Sequence, residues 1–420
     1  VDDDQDHQRL VRLYAHVVIM AIVGALGVLA WLVAWELVNE LLWENEYLEA
    51  NPWLFPAICL PFSLLVGLLI KYRQAPTTLD ESMLDTLNGD PGRIEWRRLP
   101  VNVVMAWVSL WSGAVVGPEG GIGGIASKMA AFYGEKVALP AEQRSRLVFS
   151  ALASAYNGLV ANPLFTGVLG TELMKDASAR ARNLPANLIG GAIGFVIFTS
   201  IGSTGLEDYL GLAPTGPLQF FDAVVVIVFG LVGLILGVIS GLLFRIAAAI
   251  FGRWREQVVL RALVAGVVFS LVGILAPILL FSGEDQIREI AADPEAYGSA
   301  VLLAMAVVKL ALLAVAFKSG FLGGPTFPAI FASVCVALAV SLLVPALEVT
   351  VVIGGVMAGF LMVLFRAPFM VILLTAVMLQ ADPELVALIV LAVAAVMITQ
   401  PLVQAAVTAR RPGDSASTTS

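Results

Sequence analysis

One carboxylate, Glu119, stands among six glycines and a proline in the stretch Gly113–Gly124, G-A-V-V-G-P-E-G-G-I-G-G. Pro118 suits the first turn of a helix, where its missing N–H is no loss, so a helix is expected to begin here. The first turn of a helix leaves backbone N–H groups unpaired and carries a partial positive charge. That combination binds an anion without a Lys or Arg, and the stretch contains neither. A glutamate at such a place acts as a switch. Ionised, its carboxylate is itself an anion that can fill the site; protonated, it loses that attraction and can leave. Burial disfavours the charged form and the helix dipole favours it, so the proton is held between two opposed effects. The plainer reading is a glycine-rich helix contact with a glutamate reaching for the surface, since glycine packing is common between membrane helices.

The elements that must position this stretch are apolar. Of 420 residues, 59% are hydrophobic and 13% charged, and the mean hydropathy is +0.91, as in polytopic helical membrane proteins without a large soluble domain. Runs long enough to cross a bilayer fall at about 13–38, 53–71, 100–116, 186–201, 222–251, 258–281, 299–317, 331–346, 350–365 and 385–408. Shorter pieces at 119–133, 146–157, 163–174, 325–332 and 367–380 are interrupted by Gly, Pro or Asn. They are expected to enter and stop near the midplane. Backbone broken at that depth is tolerated only where protein covers it or a polar cavity adjoins it, so the breaks mark the pathway.

Several chemistries are excluded. Cys59 and Cys335 both lie in apolar runs, which points away from a disulfide framework or a cysteine metal site. His7 and His16 are the only histidines, too few for a histidine metal cluster. An intramembrane hydrolase would need a G-x-S-G elbow or a deep histidine, and neither is found. No metal, cofactor, nucleic-acid partner or enzymatic activity is expected. The chain starts acidic, at Asp2, Asp3, Asp4 and Asp6, so a cleavable signal is not expected either.

Loop charges give an orientation. Lys71, Arg73, Arg93, Arg97, Arg98, Lys136, Arg144, Arg146, Lys175, Arg180, Arg182, Arg245, Arg253, Arg255, Arg410 and Arg411 fall in one set of connections. The other set, including 202–219 and 281–298, holds one arginine, Arg288, among many acids. Both termini and the basic loops are therefore expected in the cytoplasm. Gly230, Gly233, Gly237 and Gly241 recur along one helix and are read as a packing face. The polar segment after Arg411 is expected to be disordered.

The second half contains a counterpart to the opening stretch. Gly320–Pro328 reads G-F-L-G-G-P-T-F-P, again glycines and a proline ahead of a helical run. From Gly117 to Pro163 is 46 positions, and from Gly323 to Pro368 is 45, with Pro163 in N-P-L-F-T-G and Pro368 in R-A-P-F-M-V. Corresponding broken segments in two halves are the sequence sign of an inverted-repeat transporter whose site lies at the repeat interface. An anion is then expected at both helix starts, contacted by the amides of Gly120, Gly121, Thr326 and Phe327.

At these residues the chain resembles the CLC family of chloride channels and chloride/proton antiporters, over about residues 10–408, as a divergent prokaryotic member without C-terminal regulatory domains. G-P-E-G-G at Gly117–Gly121 is similar to the family's G-R/K-E-G-P, which places Glu119 on the external gating glutamate. G-G-P-T-F-P at Gly323–Pro328 resembles G-x-F-x-P, with Thr326 where phenylalanine is usual. Asn162–Leu164 and Arg366–Pro368 look like the two proline-bearing helix starts that follow. The resemblance implies an all-α polytopic membrane protein of the inverted-repeat CLC type, with many tilted, broken and re-entrant helices. It implies an acidic tail at 1–9, repeats at 10–201 and 202–408, and a tail at 409–420. It further implies a homodimer in the cell inner membrane, in contact through 186–201 and 385–400, moving chloride and protons without a cofactor. Anion-site residues carried over are Gly117, Pro118, Gly120, Gly121, Gly324, Pro325, Thr326 and Phe327.

Departures fall at the inner end. Where the family has G-S-G-I-P, this chain has R-Q-A-P-T-T-L-D-E-S, with only Thr77 and Thr78 to replace the serine hydroxyl. Near Thr408, where many members close the inner gate with tyrosine, there is none. Pro118 replaces a basic residue. Glu172, in G-T-E-L-M, falls near the antiporters' internal proton-transfer glutamate and is equally well read as a helix end beside Lys175. Glu119 favours an antiporter; the missing serine and tyrosine favour a passive channel, or a preference for another anion such as fluoride.

Overall fold

The computed structural model describes residues 2–77, 94–174, 176–201 and 219–409. Thr78, Arg93, Lys175, the 202–218 segment, Arg410, Arg411 and the tail after them lie outside the described residues. Among those described, eight helices are long and apolar enough to cross a membrane. They are His7–Trp43, Pro52–Arg73, Ala177–Ile201, Phe220–Trp254, Val258–Leu275, Gly298–Ser319, Thr326–Leu343 and Pro383–Leu402. Helix is the form such runs must take, because lipid offers no partner to an open backbone group.

The remaining helices are short, and they shape the interior. Leu99–Trp111 has 13 residues, so it rises only about 20 Å and stops well inside a core about 30 Å thick. The run expected at 100–116 is therefore not a span. It ends because Gly113 turns the chain at φ +77°, a conformation glycine adopts without a Cβ clash. Val258–Leu275 also stops short of the expected 281, because Pro277 cannot continue the helix and starts a separate turn, Pro277–Leu279. Val349–Phe365 and Pro368–Met378 are apolar and shorter than a span.

Two expectations of short pieces are corrected. Segments 325–332 and 331–346 form one helix, Thr326–Leu343, since Pro328 falls in its first turn, where no N–H is needed. Likewise 119–133 is part of an 18-residue helix, Glu119–Lys136. Both helices begin in the interior: Gly117–Gly121 and Gly320–Pro325 are buried throughout.

Close backbone packing brings these elements together. The Asp2–Trp43 and Ala141–Ala155 helices pack together, as do Phe220–Phe251 and Val349–Phe365. In the second pair a Cβ on Gly233 would strike the Val356 carbonyl, and one on Gly359 the Gly230 carbonyl. Gly237 faces Val363, whereas Gly241, expected on the same face, has nothing within 4 Å of a Cβ. A tryptophan ladder fixes the first helix beside Leu99–Trp111. Trp107 and Trp111 donate their indole N–H groups to the carbonyls of Trp31 and Trp35, and Trp43 donates to Trp111. The Trp31 and Trp107 rings stack with centroids 6.4 Å apart.

Candidate anion and proton site

The two glycine–proline stretches meet. Gly117 and Gly324 exchange backbone hydrogen bonds in both directions at 2.8 Å, the one isolated bridge among the described residues. This pairing satisfies backbone groups that would otherwise be orphaned at membrane depth, and it lays the starts of the Glu119 and Thr326 helices side by side. Leu322 adds a third link by donating its N–H to Ser109 Oγ at 3.0 Å.

Glu119 lies across this junction with 7% of its surface exposed. Its Oε1 accepts from the Thr326 N–H at 2.9 Å, and the Phe327 amide and Thr326 hydroxyl bond to the same carboxylate. Oε2 is buried without a hydrogen-bond partner. The carboxylate lies over the α-carbons of Gly117 and Gly324, where any Cβ would overlap it. Gly120 faces Gly323, with backbone atoms 2.8 Å from where its Cβ would be, and Gly121 faces Ala106 and Trp31. The N-terminus of the second-half helix thus holds a carboxylate oxygen from the first half. Chemically that oxygen stands in for a small anion.

Three residues not singled out by sequence complete the surroundings. Tyr156 donates its hydroxyl to the Glu119 carbonyl at 3.0 Å. Lys309 is fully buried; its Nζ donates to the carbonyls of Leu280 at 2.8 Å and Leu279 at 3.2 Å and lies over the Phe331 ring. It pins the Pro277–Gly283 connection against the Thr326 helix. Glu284 begins the helix Glu284–Ala292 on that connection, and its Oε1 is buried without a partner. Burial, then the charge of Glu119, push its carboxyl up to about 8. Lys309 was legible as the lone cation of an apolar run; Tyr156 had no such signal.

Glu172 is placed at the second pair of helix starts. Its Oε1 accepts from the Phe369 N–H at 2.9 Å and its Oε2 from the Met370 N–H at 2.6 Å. In the first half, Asn162 caps its own helix by accepting from Leu164 and Phe165. Ala367 occupies the equivalent position in the second half and has no side-chain acceptor, so Glu172 supplies the cap from across the interface. Thr77 lies beside Gly320, before the second glycine–proline stretch; Thr78 is outside the described residues.

These features define a multi-pass membrane protein whose polar site is assembled from helix ends of both halves. The chain belongs to the voltage gated chloride channel family, whose profile matches residues 62–400. It is 25% identical over 368 residues to "Putative ion-transport protein YfeO" of Escherichia coli O7:K1, covering 86% of this chain and 84% of that protein. A solved slow cyanobacterial Cl−/H+ antiporter has the same fold, with a TM-score of 0.72, 19% identity and 94% coverage of each chain. So does a CLC-type fluoride/proton antiporter, at 0.72 and 18% identity, covering 93% of this chain and 96% of that one.

Proposed function

We propose that this protein moves chloride or a similar small anion across the membrane, with Glu119 as the external gate and proton acceptor, in exchange for protons. The observation that carries the reading is the Glu119 carboxylate on the Thr326 amide. An anion bound there competes with the carboxylate, and protonation removes the competitor, so the two fluxes share one site. A ring of partial charges from amides suits turnover, because a full cation beside the anion would hold it too long. Gly117, Pro118, Gly120, Gly121, Gly324, Pro325, Thr326 and Phe327 form the proposed anion site. Thr77 and Thr78 belong to its inner end, and Glu172 to proton transfer on that side or to capping alone. The halves 10–201 and 202–408 act as the two repeats.

A passive channel, or a fluoride preference, is the second reading; the loss of the serine motif and of the inner tyrosine favours it. We assign both termini to the cytoplasm and the protein to the cell inner membrane, as a homodimer through 186–201 and 385–400. Leu188, Val196, Val390 and Met397 on these helices are exposed and apolar, as lipid or a second copy requires. Vesicles loaded with a chloride gradient, with external pH recorded, separate the two readings. Uphill proton movement supports exchange; chloride flux without it supports the channel.

A further inference from the structure

We propose that Glu284 is an outer proton relay, which takes protons from an acidic vestibule on the acid-rich face of the membrane and passes them to Glu119. The proposal rests on the exchange reading above and gives the proton an entrance of its own.

A cavity of about 840 Å³ lies between the end of the first helix, the start of Pro52–Arg73 and the 277–289 segment. Among the described residues, every charged side chain on its wall is an acid: Glu36, Glu44, Glu284, Asp285 and Glu289. A cleft lined by one sign of charge gathers ions of the other, so this one repels an anion and concentrates protons. Glu36, Glu44, Asp285 and Glu289 are exposed, whereas Glu284 is part-buried and its Oε1 is shut off from solvent without a partner. Trp35 and Asn39 on the same wall also have buried polar atoms without partners, which suits a wall that holds water.

The other side of this segment meets the transport site. The Phe281 N–H donates to the Gly113 carbonyl at 3.4 Å, at the head of the first glycine–proline stretch. Gly283 packs on the Thr326 helix, where a Cβ would lie 2.8 Å from Phe331 Cδ2. Glu284 and Glu119 lie within each other's field, and each has one buried carboxylate oxygen with no partner, an atom at which a proton can be lost or gained.

An acid in the first turn of a helix is ordinary where water keeps it ionised. Glu284 is not so placed. Burial, then the charges of Glu119, Asp285 and Glu36, push its carboxyl up to about 8 against a hydrogen bond from Ser282, so it carries a proton at neutral pH. Its own helix also bears Arg288 and Glu289, and Glu289 accepts from the Tyr297 hydroxyl at 2.9 Å. Behind it stand Cys335 and Lys309, whose Nζ is committed to the Leu279 and Leu280 carbonyls. In the transfer an O–H bond of Glu284 breaks and one forms on Glu119, with water between them as carrier. The negative charge moves to Glu284, which regains its proton from hydronium in the vestibule.

The test uses wild-type, E284Q, E284D, E119Q and E119Q/E284Q proteins, inserted in one orientation in vesicles, with chloride flux and pH recorded together. E284Q keeps the side-chain volume and cannot titrate; it is expected to slow proton-coupled chloride flux about ten- to a hundredfold, as loss of a positioned proton donor does. E284D keeps a titratable carboxyl and restores most of that flux. E119Q/E284Q passes chloride as fast as E119Q, because Glu284 acts only through Glu119; a merely structural glutamate would slow both backgrounds alike. E36Q with D285N moves the outer-pH midpoint of coupled flux to lower pH by a few tenths of a unit, an effect that fades at high salt. Wild-type coupled flux in E284Q, or slower chloride flux in E119Q/E284Q than in E119Q, overturns the relay alone. Wild-type protein that passes chloride without moving protons overturns the exchange reading itself.

Discussion

Glu119 and Thr326 are joined across the two halves of the chain, Oε1 to amide, at 2.9 Å. The same trade recurs at the other pair of helix starts, where Glu172 accepts from Met370 at 2.6 Å. In both places a first-half carboxylate occupies a second-half helix N-terminus, where unpaired N–H groups and the helix dipole favour negative charge. The two differ in what surrounds them. Glu119 sits on glycine α-carbons beside the interior bridge with its Oε2 unpartnered; Glu172 has both oxygens committed to amides in place of a missing cap.

Gly324→Ala tests the glycine slot. Its Cβ would overlap the Glu119 carboxylate, so the side chain must leave the Thr326 amide. We expect anion flux at neutral pH to rise toward its acid-pH value, flattening the pH dependence. Gly241→Ala is the control: a Cβ there meets nothing within 4 Å, and replacing glycine inside a helix gains up to about 1 kcal/mol. Flux measured from pH 5 to 8 for both variants checks this, and a wild-type profile in Gly324→Ala would contradict it.

For Glu172, capping predicts a stability effect separable from transport. Glu172→Ala leaves the Phe369 and Met370 amides without acceptors and should cost about 1 kcal/mol, as loss of a helix cap does. Glu172→Gln keeps one acceptor oxygen and should cost less. Thermal unfolding in detergent reports both; identical midpoints for wild type and Glu172→Ala would remove the capping role.

Glu284 gives a pH-dependent stability with a definite sign. Its carboxyl, pushed up to about 8 by burial and then by the charges of Glu119, Asp285 and Glu36, binds its proton more tightly folded than unfolded. The stability it contributes is complete below the ordinary carboxylate range and is lost as pH rises through about 8. Glu284→Gln should match wild type near pH 4 and unfold at a higher temperature at pH 9. Parallel melting curves across that range would show that Glu284 does not titrate there.

Local chemistry made part of this site legible in the sequence. Pro118, Pro325 and Asn162 mark helix starts through properties of the residues themselves, and Glu119 is the only acid in its stretch. Partners were not legible, because hydrophobic runs reveal a helix without naming its neighbour. Glu172 reaches Phe369 across 197 positions, and the signal for it, an alanine where a cap belongs, is readable only once the two halves are aligned. Tyr156 belongs to a segment whose apolar pattern says nothing of what it faces. Helix lengths failed where proline had two meanings: Pro328 lies in the first turn of a helix that was divided in two, and Pro277 follows the end of one that was extended too far.

Replacing Glu119 by Gln keeps the volume of the protonated side chain in a group that cannot ionise. Chloride flux and external pH are recorded together in vesicles containing wild-type or E119Q protein. E119Q is expected still to pass chloride, at a rate independent of pH and without moving protons. Proton-coupled, pH-dependent flux in E119Q would contradict it, because the proton would then be carried by another group and Glu119 would not be the residue at which the two ions meet.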